Sequence, residues 1–437
     1  MTAAGRSVLA SRWFVPAIVV LVTWSLTTHG KYSVSGDEPH YLMVAQSLWT
    51  DGDLDVRNNH AAGESRLYGV DGLEPGLHVR ETRHGALFPV HDVGFPAVLL
   101  PLYGAATTLS TFASEPILAR FRMGRGLFAY SLISLVLIVV AAGAAALTRS
   151  ALIAEGATPG IAASVVLALW LAPPVLSNSF LVFPEVIALL VAAWAVRMAS
   201  RPNPTKTEWT LFLLAIGMLP WLHRKFVVCG ALLLIAVLWQ HRYRVIGVPR
   251  SWLVVGMACV AVPHAALGAW TLYHWGNVGG ALMLDRLPFS WSAFQTGVAG
   301  LLIDRENGLF VWAPIYLLVP AAWALVDRRH LAWAPAIAAV FFLSAAHDQW
   351  WGGFSPAARF LVPIAPLVAV QALGALRHRP FRWAAVALLV PTLIVSAYGW
   401  QNPRALWPRG DGEKRVLTAL LPADVQRWLP SLRSDAR

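Results

Sequence analysis

Two carboxylates, Asp37 and Glu38, stand side by side in the stretch SGDEPHYL, residues 35–42. Adjacent like charges raise one another's pKa, which suits one of them to act as a general base near neutral pH. A metal ligand is a second chemical reading, and a helix N-cap with a solvated neighbour is the structural one. The other charges are sparse and grouped: His91-Asp92, Glu185 in LVFPEVIALL, His223-Arg224-Lys225, His347-Asp348, and Arg359 in WWGGFSPAARFLVP. A guanidinium holds phosphate oxygens in a bidentate fork, so Arg359 is the first candidate for binding an anion; its plainer role is a side chain snorkelling to the membrane interface. The triple cation 223–225 reads either as a phosphate or headgroup binder or as an anchor. Glu185 interrupts an apolar run, where an acid is costly and marks a functional site or a structural ion pair. His91, Asp92, His347 and Asp348 suit contacts to an acceptor or a metal, or helix caps. Trp350 and Trp351 suit stacking on a sugar ring, or the aromatic belt of a bilayer. No His-x-x-His or cysteine spacing commits to zinc. A divalent metal is compatible with these residues, and no cofactor is specified.

The elements that must position these groups are membrane helices. Of the 437 residues, 57% are hydrophobic and 13% charged, with a mean hydropathy of +0.57; a soluble chain carries about 25% charged residues. Apolar runs long enough to cross a bilayer recur, at 13–29, 93–113, 127–148, 161–196, 208–222, 226–240, 251–273, 307–326, 331–346, 360–376 and 383–400. The expected fold is therefore all-α and polytopic, with about 11 transmembrane helices (range about 10–13). The 161–196 stretch contains Pro173-Pro174, which break or kink a helix; it counts here as one broken crossing, with two helices as the alternative. The N-terminal segment has basic residues before its apolar core, as a signal peptide does, but no clear small-x-small cleavage site closes the run, so a retained first helix is expected.

The net charge of +11 fits positive-inside topology and not nucleic-acid binding. With the N-terminus cytoplasmic, the inside segments 1–12, 114–126, 197–207, 241–250, 327–330 and 377–382 hold 16 Lys/Arg and two acids, Glu115 and Asp327. The outer loop 30–92 holds ten acids and five basic residues. Asp37/Glu38, His91-Asp92, the 223–225 cluster, His347-Asp348 and Arg359 then share the outer face, as a single site requires. Residues 1–400 form one transmembrane domain, and 401–437 an outer tail. Short surface helices are expected after Pro39, over 289–304, and in the tail, where Val416, Leu417, Leu420, Leu421, Val425, Trp428 and Leu429 make an apolar stripe. Cys229 and Cys259 lie in apolar runs and are expected as buried thiols.

An Asp-Glu pair opening the first outer loop, as in GDEPHYL, resembles the GT-C superfamily of membrane glycosyltransferases, in particular the protein O-mannosyltransferase and aminoarabinose-transferase branch with its Asp-Glu-x-x-Tyr pattern. PVHDVGFPAVLLPLY, FPEVIALL, GLFVWAPIYLL and WWGGFSPAARFLVP are similar to segments of bacterial members, in order, over about residues 13–376. One departure concerns the second motif, where His91-Asp92-Val93 stands for the branch's frequent His-Pro-Pro. The resemblance implies an inverting transferase in the bacterial inner membrane. It would move a sugar from a polyprenyl-phosphate carrier to a lipid, glycan or protein acceptor on the periplasmic side. Asp37 is implied as general base with Glu38 as its helper, and Arg359, His223, Arg224 and Lys225 would hold the donor phosphate. The competing readings are a transporter or lipid flippase without transferase activity, and a scaffold of envelope assembly. A transporter is expected to show inverted repeats and mid-membrane polar groups, and neither is evident.

Overall fold

Apolar runs without internal charge fold as helices because a helix pairs every backbone group within its own segment, as hydrocarbon demands. The structure, a computed structural model, describes residues 11–28, 34–242, 250–281, 290–406 and 415–432. Helices of seven or more residues are α1 (Phe14–Thr28), α2 (Glu38–Thr50), α3 (Gly94–Thr111), α4 (Glu115–Phe121), α5 (Arg125–Ala154), α6 (Pro159–Trp170), α7 (Glu185–Ser200), α8 (Lys206–Leu222), α9 (Phe226–Gln240), α10 (Arg250–Trp275), α11 (Trp291–Ile303), α12 (Leu318–Leu325), α13 (Ala334–Ala345), α14 (Ala365–Ala375) and α15 (Arg379–Gln401). Strand is confined, among the described residues, to one antiparallel hairpin, β1 (Val79–Glu81) and β2 (Leu87–Pro89). The chain is an integral membrane protein of predominantly helical fold. By length and composition, α5, Ser251–Trp275 within α10, and α15 can each span a bilayer, and the bent pair α3–α4 is a fourth candidate; the other apolar helices are shorter.

The helices run between two ends of a bundle. At one end the Arg329 guanidinium pairs with Glu155 (2.7 Å), Gln240 donates to the Arg329 carbonyl (2.8 Å), and His241 bonds the Met198 carbonyl (3.0 Å). The other end gathers the 34–92 segment, the 171–184 connection and the loops around 223–225 and 347–359. The core between them is dominated by Ala, Val and Leu of α5, α6, α7 and α14.

Four expectations are corrected. The 93–113 run does not carry the chain from one end to the other. α3 lies along α2, with Gly104 against the Trp49 ring and the Tyr103 hydroxyl donating to Gln46 (2.8 Å). α4 turns off α3 by 113°, and α5 then begins with Gly126 pressed on the backbone of Arg66 and Gly69. Both ends of α3 thus stay with the 34–92 segment, and so does 114–126, which was expected inside. The 161–196 stretch is two helices, α6 and α7, the alternative given above, joined by a connection that contains Pro173-Pro174 and one short helical turn, Val175–Asn178. α2 is buried on all faces from Glu38 to Ser47, so it packs into the protein instead of lying on a bilayer. The tail stripe is broken at Pro422 into Arg415–Leu420 and Ala423–Gln426; Val416 and Leu417 are buried, whereas Trp428 is 87% exposed. α11, Trp291–Ile303, falls where a helix was expected over 289–304. Cys229 is buried and Cys259 half-buried, both as free thiols.

Candidate active site

Asp37 is placed by its neighbour. Gly36 has φ +63, and a Cβ there would sit 2.5 Å from the Phe354 carbonyl oxygen. Glycine therefore lets the start of α2 touch the 347–358 loop. That loop ends at Ala358, itself left-handed (φ 57), and leads into a 3-10 turn, Arg359–Ile364. The result joins residues 322 positions apart: Arg359 Nη1 donates to Asp37 Oδ2 at 3.1 Å. The guanidinium lies 4.1 Å over the Phe183 ring, and its Nε is 3.5 Å from Glu185 Oε1. Glu185, the first residue of α7, is completed by Lys225, whose Nζ donates to Oε1 at 2.6 Å. One alternating chain of charge, Asp37–Arg359–Glu185–Lys225, thus crosses the end of the bundle.

Glu38 points elsewhere. It is fully buried, and its Oε1 accepts from the Tyr130 hydroxyl (2.5 Å) and the Val182 N–H (2.8 Å), while Oε2 accepts from the Ser35 N–H (3.2 Å). It ties α2 to α5 and to the 171–184 connection. The two adjacent acids serve different surroundings, so the mutual pKa elevation expected from their adjacency does not operate on Asp37. Burial opposes its ionisation, but the Arg359 guanidinium, with His91 and His78 beside it, holds the carboxyl well below the usual carboxylate range.

His78 precedes β1 and His91 follows β2. The register pairs Val79 with Pro89 and Glu81 with Leu87, and the Val90 N–H donates to the His78 carbonyl (2.9 Å). Thirteen residues of chain are thereby folded back so that His78 Nδ1 and His91 Nε2 are 3.3 Å apart. His78 Nδ1 is 4.0 Å from Asp37 Oδ1, and Asp37, His78 and His91 offer ligand atoms all within 4.8 Å of one another. His40, the third residue of α2, stacks on His78 with ring centroids 3.7 Å apart. Burial pushes His91 down to about 4 and His40 to about 3, so both are neutral at pH 7, and burial lowers His78 against the pull of Asp37.

The 223–225 cluster joins α8 to α9 and is only partly cationic. Burial, with Lys225 next to it, drives His223 well below its ordinary value, and its Nδ1 accepts from the Lys225 N–H (3.2 Å). Arg224 pairs with Asp92: Nε is 3.0 Å from Oδ1, and the Arg224 N–H donates to Oδ2 (3.0 Å). Asp92 therefore holds the hairpin's exit to the α8–α9 turn. His347 and Asp348 pair locally (3.1 Å), with Asp348 half exposed; His347 approaches Phe360 (5.8 Å between centroids), whose ring also carries Lys225 Nζ at 4.1 Å. Trp351 stands edge-on to Trp350, which fills the space beside Gly300 of α11.

The structure therefore brings Asp37, Arg359, Glu185, Lys225 and His91 together, sets Asp92, Arg224, His223 and His347 around them, and places Asp348 and Trp351 at the rim. Sequence reasoning missed His78, His40, Phe183 and Tyr130. The signal for His78 lay in HVRETRHGALFPVH, where short alternating runs flank a Gly-containing turn, a hairpin pattern.

The architecture has solved counterparts. ArnT from Cupriavidus metallidurans bound to undecaprenyl phosphate superposes with a TM-score of 0.52 at 14% identity, over 94% of this chain and 68% of that one. The same protein in the apo state gives 0.50 at 14% identity, over 92% and 65%. The chain thus spans about two thirds of the length of ArnT. Neither a protein-family model nor a curated protein sequence matches it. At this identity the likeness is one of fold alone, the helical fold of ArnT.

Proposed function

We propose that this chain, built on the GT-C fold, is an inverting glycosyltransferase that moves a sugar from a polyprenyl-phosphate carrier to an acceptor on the outer face of the bacterial inner membrane. The observation that carries the reading is the Asp37–Arg359 contact within the alternating chain to Glu185 and Lys225. It sets a carboxylate beside a guanidinium and an ammonium at one end of an apolar bundle. In a single displacement, the acceptor oxygen bonds to the anomeric carbon while the bond from that carbon to the phosphate oxygen breaks. The polyprenyl phosphate departs with the electron pair, and the hydroxyl proton passes to Asp37. Arg359 and Lys225 stabilise the phosphate charge as it develops. Arriving phosphate competes with Asp37 for Arg359 and so releases the carboxylate to act as base; that exchange couples donor binding to activation of the acceptor. Glu38 keeps α2 in place, and His223 and Arg224 shape the turn that presents Lys225.

The outer-face assignment rests on the opposite end. Among the described residues, 197–207, 241–242, 327–330 and 377–382 belong to it and carry nine Lys/Arg against one acid, Asp327, which is the cytoplasmic signature. Following the alternation between ends, α1, α5 to α10, the 309–325 segment, α13, the 359–375 segment and α15 make eleven crossings. An apolar cavity of about 310 Å³ between α6, α12, α14 and α15, lined by Val165, Leu318, Val368 and Leu389 among others, offers room for part of a lipid tail. The alternative is a transporter or flippase without transferase activity. It would need polar groups near mid-membrane, whereas these charges cluster at one end.

The test is transfer in proteoliposomes from polyprenyl-phosphate sugars to candidate lipid, glycan and protein acceptors. Wild type is expected to form product, and Asp37→Asn to lose about 10²–10⁴-fold in rate, the scale of a general base. Equal rates would remove the base assignment. Absence of product with every donor and acceptor, alongside movement of the lipid across the bilayer, would favour the flippase.

A further inference from the structure

We infer that Asp37, His78 and His91 form a binding site for a first-row divalent transition-metal ion. A tetrahedral ion with bonds of about 2.0–2.1 Å to nitrogen and oxygen sets its ligand atoms about 3.4 Å apart. The His78 Nδ1 to His91 Nε2 separation is 3.3 Å, that from His78 Nδ1 to Asp37 Oδ1 is 4.0 Å, and all three atoms fall within 4.8 Å. Closing these gaps onto one ion needs shifts of well under an ångström per side chain. The donor set, two imidazoles and one carboxylate, is that of sites with open positions for zinc, iron or manganese, and not the all-oxygen set of calcium or magnesium.

The surroundings fit a ligand role. A metal-bound carboxylate is held by outer partners, and Asp37 leaves Oδ1 toward the histidines while Arg359 takes Oδ2. His78 is backed by the His40 ring at 3.7 Å and fixed in the hairpin by the bond from the Val90 N–H to its carbonyl; His91 is backed by Tyr41, with centroids 5.1 Å apart. The site is not sealed: the His78 side chain is 33% exposed and Asp37 21%, so an ion would keep positions for water or for an oxygen of a bound molecule. A bare imidazole–imidazole hydrogen bond would also explain the 3.3 Å contact, but it gives no reason for the carboxylate oxygen facing the same nitrogen.

This site deepens the transferase reading in one respect only: if that reading holds, an open coordination position lies where a donor phosphate oxygen between Arg359 and the ion would complete it. Metal binding itself is independent of transfer, and so is its test. Purified full-length protein, stripped with chelator and dialysed, is titrated with Zn²⁺, Mn²⁺ and Co²⁺, and metal content is measured after desalting. One equivalent of Zn²⁺ per chain is expected, with visible d–d bands for Co²⁺. His78→Gln and His91→Gln should each weaken binding at least tenfold, and the exposed His378→Gln should not. A melting-temperature rise on adding Zn²⁺, seen for wild type and lost in His78→Gln, guards against a variant that fails to fold. No stoichiometric uptake by wild type, or uptake unchanged in both site variants, overturns the proposal. Uptake without transfer activity would leave the metal site standing and remove the transferase, and transfer without uptake would do the reverse.

Discussion

At the scale of single residues, two adjacent acids with the same neighbours in sequence have separate jobs in the fold. Asp37 looks into a polar opening, and Glu38 looks into the packed interior. Glu38→Ala is expected to destabilise the protein by about 2–4 kcal/mol, because it removes an acceptor from the buried Tyr130 hydroxyl and Val182 N–H. Thermal unfolding in detergent should show that loss, whereas Asp37→Asn should change rate far more than melting temperature. His223 gives a pH prediction with a definite sign. Burial first, then Lys225, hold its folded-state pKa below the ordinary value near 6.5. Between those two values the unfolded chain binds a proton that the folded chain refuses, so stability falls as pH drops from 7 toward 5. A melting series across that range should show a shallower slope for His223→Gln than for wild type; identical slopes would remove the assignment.

At the scale of elements, the site is made by two devices that bring distant chain together. One is the hairpin β1–β2, whose register sets His78 against His91. The other is the contact of Gly36 with the 347–358 loop, which lines up Asp37 with Arg359. Gly36→Ala must adopt an unfavourable positive φ and push away the Phe354 carbonyl. A stability cost of about 1–3 kcal/mol is expected from the backbone alone, together with a loss of transfer activity because Arg359 shifts with its loop. Gly52 also has positive φ (+74) but open space around it. Gly52→Ala should therefore incur the backbone cost without the loss of activity, and assays of both variants side by side separate strain from displacement.

At the scale of the whole molecule, the proposed eleven crossings equal the number expected from hydropathy, yet two segments have exchanged roles. α3 packs one face, with Phe95, Leu99, Tyr103 and Ala106, into the protein while Val98 and Leu109 stay exposed, and 161–196 supplies two helices, the alternative to one broken crossing. This arrangement puts Arg120 and Arg122 on the side of the 34–92 segment, against the charge rule. Single cysteines at Glu74, Arg120 and Asn203, in a background lacking Cys229 and Cys259, make the check. Positions 74 and 120 are expected to react with an impermeant thiol reagent from the same side and 203 from the other. Labelling of 120 together with 203 would show that α3 crosses.

Apolar run length and the scarcity of charge were enough to determine the helical membrane class, the positions of most helices to within a few residues, and the small set of charged groups from which a site had to be drawn. Those properties are local, since a helix in hydrocarbon satisfies its backbone within itself. Asp37, Arg359, Glu185, Lys225 and His91 stood out for the same reason: each interrupts, or closely borders, apolar text. Which of them touch was decided by tertiary structure alone. The split between Asp37 and Glu38, the neutralisation of His223 by burial, and the pairing of Arg224 with Asp92 depend on residues up to 322 positions away. His78 became a candidate only through strand register, which a three-residue strand barely writes into its sequence. A hydropathy run gives length and apolarity but not destination; for α3 only the contacts of its two ends, with the 34–92 segment, supply a destination to test.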